Sequence, residues 1–203
     1  MMRFFTSWVR VAVAAIAFAL VVTPAAAQFS DSFNFLKAVR EKDVLKAKGF
    51  LDKPGSVLVN TKDRTTGEAA LHIVTRRGDV PWMAFMLQNG ADPNIRDGEG
   101  NTPLLIAAQM GFTDGIRVLL LGKAGVDVAN GRGETALIKA VQQRDLPTAR
   151  ALLEAGADPD RPDNAAGLSA RDYAAQDRRN SAMAKLLADA PKKKSAPTTG
   201  PKL

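Results

Sequence analysis

Few side chains in this sequence could do covalent chemistry, and they do not assemble into a site. His72 is the single histidine among 203 residues, and there is no cysteine. An imidazole can act as general base or metal ligand. A zinc site needs several Cys or His ligands, and a Ser-His-Asp relay would have to use His72 itself. His72 therefore reads as a structural residue that hydrogen-bonds neighbouring backbone. Asp92, Asp127 and Asp158 read as one recurring position, where an acidic residue forms a turn. Asp97-Gly98-Glu99-Gly100-Asn101 is rich in oxygen but lacks the spaced ligand set of a calcium loop. Gly122 to Gly133 (GKAGVDVANGRG) places a lysine among glycines. It lacks the Gly-x-x-x-x-Gly-Lys-Ser/Thr order of a phosphate loop and follows no strand. No catalytic residue, cofactor site or metal site is expected.

The elements that would position these residues recur. Gly100-Asn101-Thr102-Pro103-Leu104-Leu105 reads as a helix start, with Thr102 as hydroxyl N-cap and Pro103 at the first helical position. The pattern returns 33 residues earlier at Gly67-Glu68-Ala69-Ala70-Leu71-His72 and 33 later at Gly133-Glu134-Thr135-Ala136-Leu137-Ile138. A further 34 residues lead to Gly167-Leu168-Ser169-Ala170-Arg171-Asp172. Each start leads to a turn, a second helix, a stop glycine and a polar tip. In the third unit the stop reads as Gly125, 25 residues after Gly100 against 23 from Gly67 to Gly90, which predicts two extra residues near Gly122-Lys123-Ala124. Such a period marks a stacked array, in which each helix pair buries an apolar face on its neighbours. Leu71, Leu104 and Leu137 form one expected ladder. Val74, Ala107, Ala140 and Ala174 form another.

The units divide the chain into a leader at 1–27, a capping repeat and linker at 28–66, repeats at 67–99, 100–132 and 133–166, a closing cap at 167–190 and a basic disordered tail at 191–203. The leader has Arg3 and Arg10, the apolar run Val11 to Val22, and small residues at Ala25 and Ala27. That is the pattern of an export signal cleaved between Ala27 and Gln28, with an apolar run too short to span a bilayer. The expected destination is the periplasm or the exterior, with the membrane involved only through the export signal. The net charge of +7 sits largely at the ends. Setting aside Arg3, Arg10, Lys192, Lys193, Lys194 and Lys202 leaves 22 basic against 21 acidic residues, so the folded part lacks the basic surface of a nucleic-acid reader.

The 33-residue period, the Thr-Pro-Leu-type helix start, the glycine between helices, the Leu-Leu pair and the Gly-Ala-Asp exits together resemble the ankyrin repeat, over about Phe33 to Ala190. No unit carries the full Thr-Pro-Leu-His: the second has Leu71-His72 without a hydroxyl cap, and the third has Leu105 in place of His. The resemblance implies an all-α ankyrin-repeat solenoid of about five helix-turn-helix repeats with short hairpin-like loops. It also implies a non-enzymatic monomer that binds another protein through its concave face. The expected partner-binding residues are Arg64, Asp97, Glu99 and Arg132 on the loop tips and Arg76, Arg77, Gln109, Met110, Gln142 and Gln143 on the helix ends. An alternative is docking on anionic lipid or cell-wall polymer through the Lys192-Lys193-Lys194 tail and the Arg76-Arg77 face.

Overall fold

The computed structural model describes residues 24–177 and 179–191. The apolar run of the leader, the tail from Lys192 onward and Arg178 lie outside the described residues. Among the described residues there are ten α-helices and no strand. They pair as α1 (Pro24–Arg40) with α2 (Val44–Leu51), α3 (Ala70–Arg76) with α4 (Val80–Gln88), and α5 (Pro103–Gln109) with α6 (Thr113–Leu121). Then follow α7 (Ala136–Gln142) with α8 (Leu146–Glu154) and α9 (Ala170–Gln176) with α10 (Ser181–Asp189). Odd-numbered helices pack in one row and even-numbered helices in a second. The two rows form the layers of an all-α solenoid, with hairpin fingers projecting between successive pairs. No described helix is long and apolar enough to cross a membrane.

The odd helices are seven residues long from α3 onward, too short to be stable alone, so stacking must hold them. Leu71, Leu104 and Leu137 are fully buried between neighbours, as are Val74, Ala107, Ala140 and Ala174. The small second ladder lets adjacent odd helices approach closely. In the outer row Met83, Ile116 and Ala149 are buried at corresponding positions, and Met183 is buried one position earlier in its helix. Three outer helices start on an aspartate: Asp43, Asp79 and Asp145 accept from the amides of Lys46, Trp82 and Thr148 at 2.9, 3.3 and 3.1 Å. The third has Phe112 there with no side-chain cap. Its ring lies against Gly115, where an added Cβ would come within 2.3 Å of it.

The two-residue insertion predicted near Gly122-Lys123-Ala124 does not exist. Helices α4 and α6 end at equivalent places, and Lys123 takes the stop position that Gly90 and Gly156 hold elsewhere. Its backbone is left-handed, with φ 64° against 84° and 88° at the two glycines. The hydrogen bonds agree. Lys123 N donates to Leu120 O at 3.0 Å and Ala124 N to Leu119 O at 2.9 Å, as Gly90 and Ala91 do to Leu87 and Met86. Gly125 therefore corresponds to Asp92 and Asp158, and Asp127, two residues further on, corresponds to Asn94. There it joins a different ladder. The side-chain oxygens of Asn60, Asn94 and Asp127 each accept the amide of the next repeat, from Asp92, Gly125 and Asp158, all at 2.7 Å.

Candidate functional site

Four fingers are built on one repeated acceptor. Asp63, Asp97, Asn130 and Asp163 each turn a side-chain oxygen back onto the amides of their own loop. Asp97 Oδ1 accepts from Glu99 N at 3.0 Å and Asn101 N at 2.8 Å. Asp163 Oδ1 accepts from Ala165, Ala166 and Gly167 at 3.1, 2.8 and 3.1 Å. Burial pushes the Asp163 carboxyl up, but the Tyr173 hydroxyl at 2.6 Å and these amides hold it below its ordinary value. The fingers also bond to one another: Gly98 N donates to Thr66 O at 2.9 Å, Gly131 N to Glu99 O at 3.3 Å and Asn164 N to Arg132 O at 2.8 Å. The approach is close enough that a Cβ on Gly67 would lie 2.5 Å from Gly98 N.

Behind the tips a polar chain crosses three repeats. Arg76 bonds Glu68 at 2.6 Å and Asp97 at 3.4 Å. Asn101 donates toward Asp97 and Glu99 at 3.4 and 3.1 Å and accepts from Asn130 Nδ2 at 3.0 Å. Asn130 continues to Glu134 at 2.8 Å, which holds Lys139 Nζ at 2.8 Å. Burial works against the Glu134 charge, but Lys139, Asn130 and Arg132 together keep its carboxyl below the usual range. Paired and hydrogen-bonded groups of this kind are the condition for keeping charge inside a protein. His72 closes the chain on one side. Its Nδ1 accepts the Ala69 amide at 3.1 Å and its Nε2 donates to Asn101 O at 3.0 Å, which leaves it no free nitrogen.

This geometry separates the expected surface residues. Asp97 is buried, with its carboxylate turned inward to build the finger, and so it is not presented at the tip. The sequence signal for this was the 33- or 34-residue recurrence of Asp63, Asp97, Asn130 and Asp163, which reading the tips as exposed polar loops overlooked. Arg77 is also held inward. Its Nη1 donates to Val39 O in the preceding repeat at 2.7 Å, its Nε donates to Asp79 at 3.2 Å, and its guanidinium lies over the Trp82 ring. Its Nη2 lies 3.2 Å from Asp79 Oδ2 as a charge contact without hydrogen-bond geometry. Arg64, Arg76, Glu99, Gln109, Met110, Arg132, Gln142 and Gln143 are exposed. Among them Arg76 and Arg132 are braced by carboxylates, the latter by Glu134 at 3.0 Å. Among the described residues no group of three or more His, Cys, Asp or Glu could hold a metal ion.

The repeat geometry now has an independent counterpart. The family model for ankyrin repeats in three copies matches residues 26–130, and the single-repeat model matches 132–164. The chain belongs to the ankyrin-repeat family. Among curated proteins it is similar to the 2-5A-dependent ribonuclease of Mus musculus, 34% identical over 77 residues. That match covers 38% of this chain and 10% of the relative. It is also similar to the human BRCA1-associated RING domain protein 1, 52% identical over 31 residues, 15% of this chain and 4% of the relative. The chain thus spans a small fraction of either relative. The exposed residues above lie along the ends of the odd helices and on the fingers.

Proposed function

We propose that this ankyrin chain is an exported, non-enzymatic scaffold that binds another protein through its concave face. The observation that carries this is the continuous line of exposed side chains at the ends of α3, α5 and α7, from Arg76 through Gln109-Met110 to Gln142-Gln143. The elements beneath are locked by buried ladders and inter-finger bonds, so little ordering is lost on binding. Met110 is 48% exposed at the middle of the line and is a suitable anchor, since Met is enriched in interface cores. Export to the periplasm and cleavage after Ala27 are parts of the same reading, motivated by the leader, and a monomeric state completes it.

The test is crosslinking and pull-down from the exported fraction, comparing wild type with Met110→Glu. Loss of the captured protein supports the face, and unchanged capture rejects it. Arg77→Glu is unsuited as a partner-binding probe, because Arg77 ties the second repeat to Val39 of the first. Amino-terminal sequencing of the exported protein should give Gln28, and a start at Met1 rejects export with cleavage. Docking on an anionic polymer is disfavoured by the engagement of Arg76 and Arg77 with Glu68, Asp97 and Asp79. If deleting residues 191–203 abolished binding, that rival would regain its footing.

A further inference from the structure

The final residue of every odd-numbered helix falls on one row: Arg40, Arg76, Gln109, Gln142 and Gln176. All five are exposed, and none is acidic or apolar. The two arginines are engaged, Arg40 with Asp63 at 2.7 Å and Arg76 with Glu68 at 2.6 Å. The other three are side-chain amides on consecutive helices that pack side by side. Packed helix axes lie about 8–10 Å apart. An extended peptide advances about 3.3 Å per residue, so three residues cover one step of the row. A carboxamide carries one acceptor and two donors, matching the C=O and N–H that a peptide presents at each such step.

The chemistry of this half selects among occupants. Its three rungs are uncharged, which supplies no positive charge to hold a phosphate or an anionic lipid headgroup. The aromatic ring beside the row is Tyr173, half-buried and bonded to Asp163, and so gives no open platform for a sugar. Met110, one residue beyond Gln109, supplies an apolar seat. We infer that Gln109, Gln142 and Gln176 hold the main chain of an extended peptide segment of the partner, with one apolar peptide side chain seated at Met110. This rests on the concave-face reading and specifies what that face grips.

The test is to pan a phage-displayed library of random dodecapeptides against the full chain and titrate the enriched sequences as synthetic peptides. Gln109→Ala, Gln142→Ala and Gln176→Ala should each weaken binding by about three- to tenfold, the scale of one net hydrogen bond. N-methylation of peptide amides three residues apart should weaken binding, while alanine at the same peptide positions should not. Thermal melts followed by circular dichroism check that the variants stay folded. Failure to enrich any peptide, or enriched peptides indifferent to all three substitutions, overturns the ladder. A natural partner lost with Met110→Glu but retained by the triple glutamine variant also overturns it, while leaving concave-face binding intact. Retention of that partner by both variants removes the concave-face reading itself.

Discussion

The second and third repeats have the same fold, and each keeps one rule of helix termination and breaks the other. The third opens α5 on Thr102, whose hydroxyl accepts the Leu105 amide at 3.3 Å, with Pro103 following. It closes α6 on Lys123, a side-chain-bearing residue held in left-handed backbone. The second closes α4 on Gly90, which reaches that conformation without steric cost. It opens α3 on Ala69, which has no capping oxygen. There the His72 amide turns instead to the Ala69 carbonyl at 3.0 Å, while the His72 ring takes the Ala69 amide and links through its other nitrogen to Asn101 of the next repeat. One helix start is completed by its own cap residue and the other by a side chain anchored on its neighbour. A solenoid tolerates a local defect when a side chain of the same unit takes up the freed group and is itself anchored on the adjacent unit.

The largest test of that contrast is to remove each device. His72→Ala strands the buried Ala69 amide, leaves the Asn101 carbonyl with the Asp97 amide alone and opens a cavity, so it should cost roughly 3 kcal/mol. Thr102→Ala removes one cap and should cost about 1 kcal/mol. Urea denaturation of the two variants gives the order, and a greater loss at Thr102 would break the comparison.

Acidity probes the same histidine without mutation. Burial lowers the His72 pKa below its ordinary value of 6.5, against weaker opposing effects from the Asn101 carbonyl, Asp97 and Glu68. The folded state thus binds fewer protons than the unfolded chain in this range. Its contribution to stability is complete above pH 6.5 and declines as pH falls below 6.5 through the lowered folded value. His72→Leu, which installs the residue type that Leu105 provides in the third repeat, should abolish this slope while leaving the carboxylate-dependent loss at lower pH. A slope unchanged in the variant would assign the effect to another group.

At the other end of the third repeat, Lys123→Gly should stabilise by about 0.5–1 kcal/mol. Left-handed backbone costs a side-chain-bearing residue about 1–2 kcal/mol, and glycine's extra freedom in the unfolded chain returns part of the gain. A destabilised variant would mean that the lysine side chain contributes more than its backbone strain removes. The smallest effect is local. Amides of Ala70 to Val74 should exchange with deuterium faster than those of Leu104 to Ala107, because α3 lacks a hydroxyl on its first turn. Slower exchange there would show that the His72 link secures the helix better than a local cap does.

Much of the fold was legible in the sequence because its causes are local or periodic. The 33-residue spacing, apolar ladders and hydroxyl caps are set by nearby residues, and they placed the start of α5 after Thr102 and the buried Leu71-Leu104-Leu137 row. His72 was readable as structural from the absence of any partner in the chain. The exposure of Gln109, Met110, Gln142 and Gln143 followed from the resemblance to the ankyrin repeat, which leaves the ends of the first helices open. Reading a glycine as the stop of α6 failed, because Gly125 marks a residue type whereas a helix end is fixed by backbone geometry. Lys123 can supply that geometry at a cost that composition does not display.

What only the tertiary structure decided are the pairings between repeats. Asp97 turned inward, Arg77 reached Val39, Asn101 bridged His72 and Asn130, and Asn60, Asn94 and Asp127 each capped the following unit. The inter-repeat partners among these lie 29 to 38 positions apart in the chain. A polar side chain has the same local pattern whether it faces solvent or the next repeat. The sequence fixes which groups can hydrogen-bond and at what period. Stacking decides which are consumed in holding the repeats together and which, like the glutamine row, stay exposed.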